Sequence, residues 1–496
     1  MKLFSKLLIL ASVIYFIYFF LLLSFSSLPM NEFDGVLRLL SHYYTSIGLI
    51  PYKDFGVVYP PGYFLLLGAI IKYSSIFQRN LMYGIFYFFI FFIYIKLYIQ
   101  NINRDKYFII KTSIFIISLT LVMNLFFYYD LLTILIFPIF LITSGSKHSK
   151  ILWFVYPIFF LLPFIRWDFA LIVLLISLIS IVSRILLSVE ELSTNFFQKI
   201  IFCISFGFIA LYLYLIKNSA VTEGVDFFVN IPTFVIKQYR NLPIPQFRIR
   251  PLENMMFHTT AILFLSFFFQ IFKNLKLNNL KIKYIIDKHI IFISILLLLS
   301  LLPYTFGRIS FHHTIPIWYL LIISYLFIPL KFNNFSIFAI ALSFIPFITF
   351  YKNNINNFIP RINYVQNYYS QNAIECEAFS SVNAGSVFIG RTSYDYFDYS
   401  NAYLYYLYKH LRPATSYISD EPGIQDSCKY GEIINNQLAT SKKPMLAFLA
   451  TNDQTGFLNN KLRSCGKIES YLSQIKYDIL GNCSSYGLVY EVRLYQ

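Results

Sequence analysis

The segment NEFDGVLRLLSHYYTSIGLIPYKDFGVVYPPG, residues 31 to 62, places acids, a glycine turn and a double proline between long apolar runs. Its first half repeats apolar residues at helical spacing, as an amphipathic helix at a membrane surface does. This helix is predicted to end at Gly48 and Pro51. A polar loop between membrane-spanning runs is a suitable place for chemistry. The apolar runs on either side of the loop decide the fold.

The composition of the whole chain indicates a membrane protein. Of its 496 residues, 57% are hydrophobic and only 13% are charged. The mean hydropathy is +0.60, so polar groups could not cover the surface of a soluble protein of this size. About eleven apolar runs are long enough to cross a bilayer as helices, which predicts a polytopic α-helical fold. Their cores are residues 7 to 25, 80 to 99, 112 to 127, 131 to 144, 151 to 165, 169 to 187, 200 to 216, 258 to 272, 290 to 304, 315 to 330 and 335 to 351.

Lysine and arginine in short loops predict the orientation of these helices. Basic residues concentrate at the amino terminus and in three loops, which are therefore expected in the cytoplasm: 100 to 111, 145 to 150 and 273 to 288. The first run is longer than a signal-peptide core and lacks a clear cleavage site after it, so it is expected to remain as an anchor. An odd helix count then leaves four segments outside: 31 to 62, 217 to 257, 305 to 314 and everything after about 352. The net charge of +16 is attributed to this topology and to contact with anionic membrane lipids. The apolar composition argues against a nucleic-acid partner.

Residues 352 to 496 are predicted to form a soluble extracytoplasmic α/β domain, following a membrane domain of residues 1 to 351 whose first external loop is 26 to 79. Small, polar and charged residues are interspersed throughout this terminal region. SVFIG, PMLAFLA and the terminal YGLVYEVRLY are typical of strands. NAYLYYLYKHLR and EIINNQLATSKK are typical of amphipathic helices.

Four of the five cysteines lie in the terminal region: Cys376, Cys428, Cys465 and Cys483. An even number in an exported domain predicts one or two disulfides, with three pairings available for two bonds. Their wide spacing is unlike that of a zinc site, and unpaired buried thiols are the alternative.

The order of motifs resembles that of the bacterial polytopic GT-C glycosyltransferases of the protein-mannosyltransferase and aminoarabinose-transferase type, which are glycosyltransferase family 39-like. An acid after the first membrane helix is followed by G-x-x-P-Y-x-D-F and then by Y-P-P-G. The matching residues are Asp34, Gly48, Pro51, Tyr52, Asp54, Phe55, Tyr59, Pro60, Pro61 and Gly62. PFIRWDFA, FFVNIPTFVIKQYRNLPIPQFR, GRISFHHTIP and the soluble terminal domain resemble later features of the same family.

The resemblance implies a GT-C-like fold in the bacterial plasma membrane. It also implies transfer of a hexosyl or pentosyl group, with inversion, from a polyprenyl-phosphate donor to an envelope lipid, glycan or protein acceptor at the outer face. The family's general base is an acid in the first external loop, and that role falls on Asp34. The usual Asp-Glu pair is absent, since Gly35 follows Asp34, so Glu32 is a rival base or a helper in metal or acceptor binding. The chemistry requires such a carboxylate, because the acceptor hydroxyl must lose its proton as it attacks.

The leaving phosphate requires nearby cations, and arginines on the outer side go against the usual distribution of positive charge. Arg166 and Arg308 each border an apolar run and are predicted to bind the phosphate. Arg240 in the 217 to 257 loop is a further candidate. The alternative for Arg166 is an ion pair with Asp168, two residues away.

Asp54, Tyr59, Asp168 and His312 complete the predicted substrate-binding residues. His312 is equally typical of an ordinary interfacial histidine, and the YPPG motif that contains Tyr59 has an alternative role in shaping a turn. The motifs require no cofactor, although Glu32, Asp34 and Asp54 are suitable oxygen ligands for Mg²⁺ or Mn²⁺. No glycine-rich nucleotide motif is visible, which agrees with a lipid-linked donor.

Three other classes of membrane protein are alternatives to a transferase. A transporter or flippase often shows internal repeats and mid-membrane charges, whereas most charges here lie at the ends of apolar runs. An O-antigen polymerase or ligase more usually carries its large external loop between helices than as a terminal domain. A purely structural membrane protein would leave the acids of the first loop unexplained.

Overall fold

The fold is described for the following residues of a computed structural model. They are 32–56, 60–62, 64–65, 76–101, 108–125, 129–144, 149–187, 194–236, 251–277, 289–307, 311–327, 334–349, 375–391, 401–418, 424, 427–451, 467–485 and 488–496. The chain forms two compact units, and each contains segments that are distant in the sequence. The first unit comprises Met1–Phe25, Asn80–Ala210 and Asn241–Phe358. The second comprises Ser26–Arg79, Leu211–Arg240 and Ile359–Gln496.

The helices of the chain up to residue 349 are numbered in order. They are α1 (Glu32–Ser46), α2 (Ile76–Asn101), α3 (Phe108–Leu125), α4 (Tyr129–Ser144), α5 (Ser149–Ile165), α6 (Trp167–Leu187), α7 (Thr194–Lys217), α8 (Val221–Val225), a π-helix (Asp226–Ile236), α9 (Pro251–Leu277), α10 (His289–Gly307), α11 (Phe311–Phe327) and α12 (Asn334–Ser343). Within the described residues, every predicted apolar run after the first coincides with one of them. The first run, residues 7 to 25, lies outside the described residues.

In the ranges given above, three helices are long and apolar enough to cross a membrane: Trp167–Leu186, Asn195–Lys217 and Pro251–Lys273. Seven shorter apolar helices accompany them in the described part of the chain: Phe89–Asn101, Phe108–Leu119, Ile134–Ser144, Leu152–Ile165, His289–Pro303, His313–Phe327 and Phe335–Thr349. The predicted class of helical membrane protein fits these helices, while the predicted total of eleven spans stays a prediction.

Helix α11 lies at the centre of the first unit. Its segment from Ile315 to Ile323 is almost entirely buried, with Trp318 and Tyr319 fully enclosed. Tyr319 donates a hydrogen bond to Tyr94 of α2 at 2.9 Å, and Tyr325 donates one to Ser266 of α9 at 2.9 Å. Such bonds hold helices together where the surrounding lipid is as apolar as the side chains.

Large apolar side chains are exposed on the outside of this unit. They include Trp153 (74% exposed), Leu186 (74%), Leu265 (67%) and Ile348 (65%). A helix bundle in lipid has an apolar exterior around an apolar core. In a soluble protein the same apolar exterior would face water, which is unfavourable.

The second unit contains a mixed five-stranded sheet built from the terminal region. Its elements are β1 (Ser386–Arg391), α13 (Asn401–Leu407), β2 (Arg412–Pro413), α14 (Cys428–Thr440), β3 (Met445–Ala450), α15 (Lys467–Gln474), β4 (Tyr477–Ser485) and β5 (Leu488–Tyr495). The strand order is β2-β1-β3-β5-β4, with β1 parallel to β2 and β3, and β5 antiparallel to β3 and β4. Strand β3 is buried along its whole length because it is central. The three predicted strands and two predicted helices are confirmed; β2, β4 and α15 were not predicted.

A disulfide joins Cys376 to Cys483 in β4, across 107 residues of sequence. Cys428 is also disulfide-bonded, whereas Cys203 in α7 is free. The side chain of Glu375 accepts a hydrogen bond from the backbone N–H of Ser484 at 3.1 Å, beside the disulfide. Hydrogen bonds from the Ser484 side chain and backbone lower the pKa of the Glu375 carboxyl. The prediction that the terminal region contains disulfides is confirmed.

Candidate functional site

The first loop begins with a well-defined end to helix α1. Gly48 has a φ of 91°, a conformation that suits glycine. Its N–H bonds the carbonyl of Thr45 at 3.1 Å, and the N–H of Leu49 bonds that of Tyr44 at 2.9 Å. This is a Schellman arrangement, which satisfies the last carbonyls of the helix. The predicted stop at Gly48 is therefore confirmed.

Residues 50 to 55 close into a tight loop around Asp54. The N–H of Ile50 donates to Asp54 Oδ2 at 2.7 Å, and the N–H of Asp54 donates to the carbonyl of Ile50 at 2.9 Å. The N–H of Tyr52 donates to the carbonyl of Phe55 at 2.6 Å. One carboxylate oxygen of Asp54 therefore shapes the loop, and its predicted contact with substrate stays a prediction.

Tyr52 adopts an uncommon backbone conformation in this loop. Its φ is 71°, in the left-handed region that non-glycine residues seldom occupy. The ring is fully buried, with Phe227 and Phe228 of the π-helix at centroid distances of 6.1 Å and 5.7 Å. Burial raises the pKa of the Tyr52 hydroxyl, so it stays protonated. A strained residue is retained only where its surroundings fix it, and here the π-helix does so.

Gly56 lies where three segments of the second unit meet. A Cβ at this position would lie 1.9 Å from the nearest ring atom of Phe227, so no larger residue fits without displacing that ring. The N–H of Gly56 donates to the carbonyl of Ser416 in the terminal region at 2.5 Å. The ring of Phe227 also lies 4.8 Å from that of Tyr417. The first loop, the π-helix and the terminal region are thus in direct contact; we call this contact the three-segment junction.

Asp226 is a buried acidic residue of the junction. It begins the π-helix and is only 8% exposed. Its Oδ1 accepts hydrogen bonds from the Tyr430 hydroxyl at 3.0 Å and from Asn230 Nδ2 at 3.2 Å, with Lys429 Nζ at 3.5 Å. Burial and, after it, the charge of Asp226 raise the pKa of Tyr430, which keeps the phenol as a hydrogen-bond donor.

A polar network holds the terminal side of the junction. Gln437 of α14 accepts hydrogen bonds at Oε1 from the Thr415 hydroxyl at 2.6 Å and from the Ser416 N–H at 2.9 Å. The N–H of Tyr417 donates in turn to Thr415 Oγ1 at 3.1 Å. Because Ser416 is fixed in this way, its carbonyl is oriented toward Gly56.

The predicted phosphate ligand Arg166 lies in the first unit, between α5 and α6. Its guanidinium donates to Asp168 from Nε at 2.9 Å and from Nη2 at 2.6 Å, and it lies 4.0 Å above the ring of Phe169. The ion pair weighed from the sequence as the alternative for Arg166 is therefore present. Whether the same group binds phosphate stays a prediction.

Most of the other predicted site residues cannot be placed by their side chains. Glu32 and Asp34 belong to helix α1, but their side chains lie outside the described residues, as does that of His312 in α11. Tyr59, Arg240 and Arg308 also lie outside the described residues. Their predicted roles stay predictions.

Comparison of the chain with protein-family models, curated proteins and solved structures found no match.

The junction contains residues that the sequence did not single out, notably Asp226, Gly56 and Gln437. Asp226 directly precedes the segment FFVNIPTFVIKQYRNLPIPQFR, and an acid at the start of an apolar segment that is predicted to lie outside the membrane was a usable signal. Gln437 lies in the predicted helix EIINNQLATSKK, where nothing local distinguishes it from a surface amide.

No group of three histidine, cysteine, aspartate or glutamate side chains suited to a metal occurs among the described residues. Of the three acids proposed as ligands, Asp54 is the one with a described side chain, and it is engaged with Ile50.

Proposed function

We propose that the protein is a membrane glycosyltransferase that moves a sugar from a polyprenyl-phosphate donor to an envelope acceptor. The observation that carries the proposal is the set of chain segments that form the second unit. Its three parts, Ser26–Arg79, Leu211–Arg240 and Ile359–Gln496, overlap the three large segments that the distribution of basic residues predicts on the outer face, although residues 241 to 257 belong to the first unit. Loops that contact one another outside the bilayer lie on the same side of a membrane, and Gly56 contacts both Phe227 and Ser416.

The order of helices supports the same topology. Among the described residues, three long and seven shorter apolar helices lie between the first loop and the terminal region. If each of these ten crosses the membrane, the even number returns the chain to the side on which it started. The first loop and the terminal region would then both face outward, where lipid-linked donors are used.

In the proposed reaction, a carboxylate of helix α1 takes the proton of the acceptor hydroxyl. The acceptor oxygen forms a bond to the anomeric carbon as the bond from that carbon to the carrier phosphate breaks, with inversion at carbon. Asp34 is the better candidate for this base. It stands seven residues, or two helical turns, before Ser41, and so it shares a helix face with that fully buried residue. Glu32 is nine residues before Ser41 and lies on a different face.

The leaving phosphate is proposed to contact Arg308, with Arg166 and Arg240 as further candidates. Two donors of Arg166 already engage Asp168, so binding phosphate there would compete with an existing pair. An arginine fork matches two phosphate oxygens at once, which favours this residue type for the site.

The proposal is tested by the lipids of a strain that lacks the gene. Lipid extraction and mass spectrometry should find the polyprenyl-phosphate sugar accumulated and the envelope material under-glycosylated, and the wild-type gene should reverse both changes. A lipid pool and envelope glycans identical to those of the parent strain would exclude the proposed activity.

A further inference from the structure

We infer that helix α14 of the terminal region is a positioning element for the first loop, acting through Gln437 and Tyr430. The inference deepens the proposed function and rests on it for its catalytic meaning. The contacts themselves do not depend on which reaction the protein performs.

The first connection runs from Gln437 to the first loop. Gln437 binds the Ser416 N–H at 2.9 Å, and its Nε2 donates to Ser416 Oγ at 2.9 Å. The carbonyl of Ser416 then accepts the N–H of Gly56 at 2.5 Å. Gly56 directly follows the loop that Asp54 closes. One side chain of α14 is therefore separated from the motif-bearing loop by a single residue.

The second connection runs from Tyr430 to the same loop by another route. The Tyr430 hydroxyl donates to Asp226 Oδ1 at 3.0 Å, at the start of the π-helix. The next residue, Phe227, stacks on Tyr52 at 6.1 Å with ring planes 28° apart. Tyr52 is the strained residue of the loop, so this connection ends where the loop most needs external support.

Both connections begin on one face of α14. Tyr430, Ile434 and Gln437 are spaced at i, i+4 and i+7, which aligns them over two helical turns. Ile434 is fully buried between the two polar residues. The helix start is also fixed, because Ser427 caps it by accepting the N–H of Tyr430 at 3.0 Å and because Cys428 is disulfide-bonded. A rigid helix with two anchors suits a positioning role.

The loop in turn continues helix α1, which carries Asp34. The Schellman turn at Gly48 joins the two without an intervening segment, so a displaced loop would displace the end of α1. The ion pair between Lys429 and Asp226 adds little stability to these contacts, because the Lys429 side chain is 66% exposed. The hydrogen bonds and the aromatic stack are the contacts that matter.

Hydrogen exchange of the purified full-length protein tests the inference without any substrate. Gln437→Leu should increase exchange of the amides from Tyr52 to Gly56 on the order of tenfold, because the Ser416 carbonyl loses its support. Peptides from β3 should change little. Gln437→Glu keeps an acceptor oxygen for Thr415 and Ser416 and should restore most of the protection. Asn436→Leu, at an exposed neighbouring position of α14, is the control.

Two exchange results would overturn the inference: unchanged exchange in the first loop, or an equal increase in the loop and in β3. The second result would mean that Gln437 only stabilises the terminal region. Tyr430→Phe provides an independent variant, since it removes the bond to Asp226 and keeps the ring. It should increase exchange in the same loop.

Measurements of turnover and of carrier binding then test whether the positioning by α14 affects sugar transfer. Gln437→Leu should reduce sugar transfer about tenfold while affinity for undecaprenyl phosphate changes less than twofold, because positioning affects the reacting geometry more than carrier binding. Full turnover despite faster loop exchange would overturn the positioning role. The proposed function fails separately, if the strain lacking the gene shows no change in lipids.

Discussion

Arg166 donates two hydrogen bonds to the carboxylate of Asp168 at the start of helix α6, of 2.9 Å from Nε and 2.6 Å from Nη2. The pair is mostly enclosed on the arginine side, with the side chains 11% and 36% exposed. Asp168 also lies in the first turn of its helix, where negative charge is favoured. These contacts give Arg166 a structural role whether or not it meets the carrier.

The first prediction separates structural from binding arginines by comparing lysine substitutions. Arg166→Lys should lower stability by ~1–2 kcal/mol, because lysine cannot form both bonds to Asp168, and should leave affinity for undecaprenyl phosphate within about twofold. Arg308→Lys should lower that affinity ~10-fold with little effect on stability. Thermal unfolding and carrier binding of the two purified proteins measure this difference.

Arg240→Lys completes the comparison of phosphate candidates. If only this variant binds the carrier weakly, the phosphate site belongs to the 217 to 257 loop. If Arg166→Lys loses affinity without losing stability, the pair with Asp168 opens to receive the phosphate.

The second prediction concerns the fit of Gly56 against Phe227. Gly56→Ala should destabilise the protein by at least ~2 kcal/mol, because the new methyl group would overlap the ring. Gly48→Ala is the matched control: nothing lies within 4 Å of its added Cβ, so the cost is the positive φ alone, about 1 kcal/mol.

A second substitution checks the cause. Adding Phe227→Leu to Gly56→Ala should restore part of the lost stability, since it removes the atoms that clash, although Phe227→Leu alone is destabilising. Additive losses in the double variant, measured by thermal unfolding, would mean that the two residues do not interact.

The helices and the main strands could be predicted because local sequence determines them. Apolar runs of sufficient length predicted the helices α2 to α7 and α9 to α12, and the continuous apolar segment MLAFLA predicted the central strand β3. The short helix α8 and the π-helix were not predicted. Strand β4 was missed for a physical reason. Exposed residues follow one another from Asp478 to Leu480, and the pairing with β5 is irregular between Ile479 and Gly481, so the alternation typical of a strand is absent.

The three-segment junction could not be predicted because it depends on contacts between distant residues. Tyr430 and Asp226 are 204 residues apart, and neither has a neighbour in sequence that indicates the other. Gln437 likewise acts through Ser416, and its role becomes visible only when the terminal region contacts the first loop. The acids of α1 were found from sequence since they interrupt apolar runs, which is a local signal.

The third prediction is that the Cys376–Cys483 disulfide contributes strongly to the stability of the second unit. It closes a loop of 107 residues, for which chain entropy gives a stabilisation of about 4–5 kcal/mol. The double variant Cys376→Ser/Cys483→Ser should unfold at a markedly lower temperature. Cys203→Ser, which removes the free thiol, should behave as the parent protein, and equal unfolding temperatures for all three proteins would contradict the prediction.

The fourth prediction concerns topology. In a Cys203→Ser background, a cysteine at the exposed position Asn436 should react with an impermeant thiol reagent in intact spheroplasts, whereas one at the exposed position Lys273 should react only after the membrane is opened. The reverse pattern would put the second unit in the cytoplasm and would remove the basis for a lipid-linked donor.

The fifth prediction identifies the general base. Asp34→Asn keeps the size of the side chain and removes the proton acceptor, so sugar transfer should fall by ~100-fold or more. Protein level and affinity for undecaprenyl phosphate should persist, because a base acts on the acceptor and not on the carrier. Transfer is measured by mass spectrometry of the envelope product whose loss marks the strain lacking the gene.

Glu32→Gln is the matched variant for this test, since it makes the same chemical change two residues earlier on a different face of α1. It should retain most of the activity, because position 34 shares the helix face of the buried Ser41 and position 32 does not. An inactive Glu32→Gln protein beside an active Asp34→Asn protein would assign the base to Glu32. The helix would then have to present to the acceptor the face opposite to the one that Asp34 occupies.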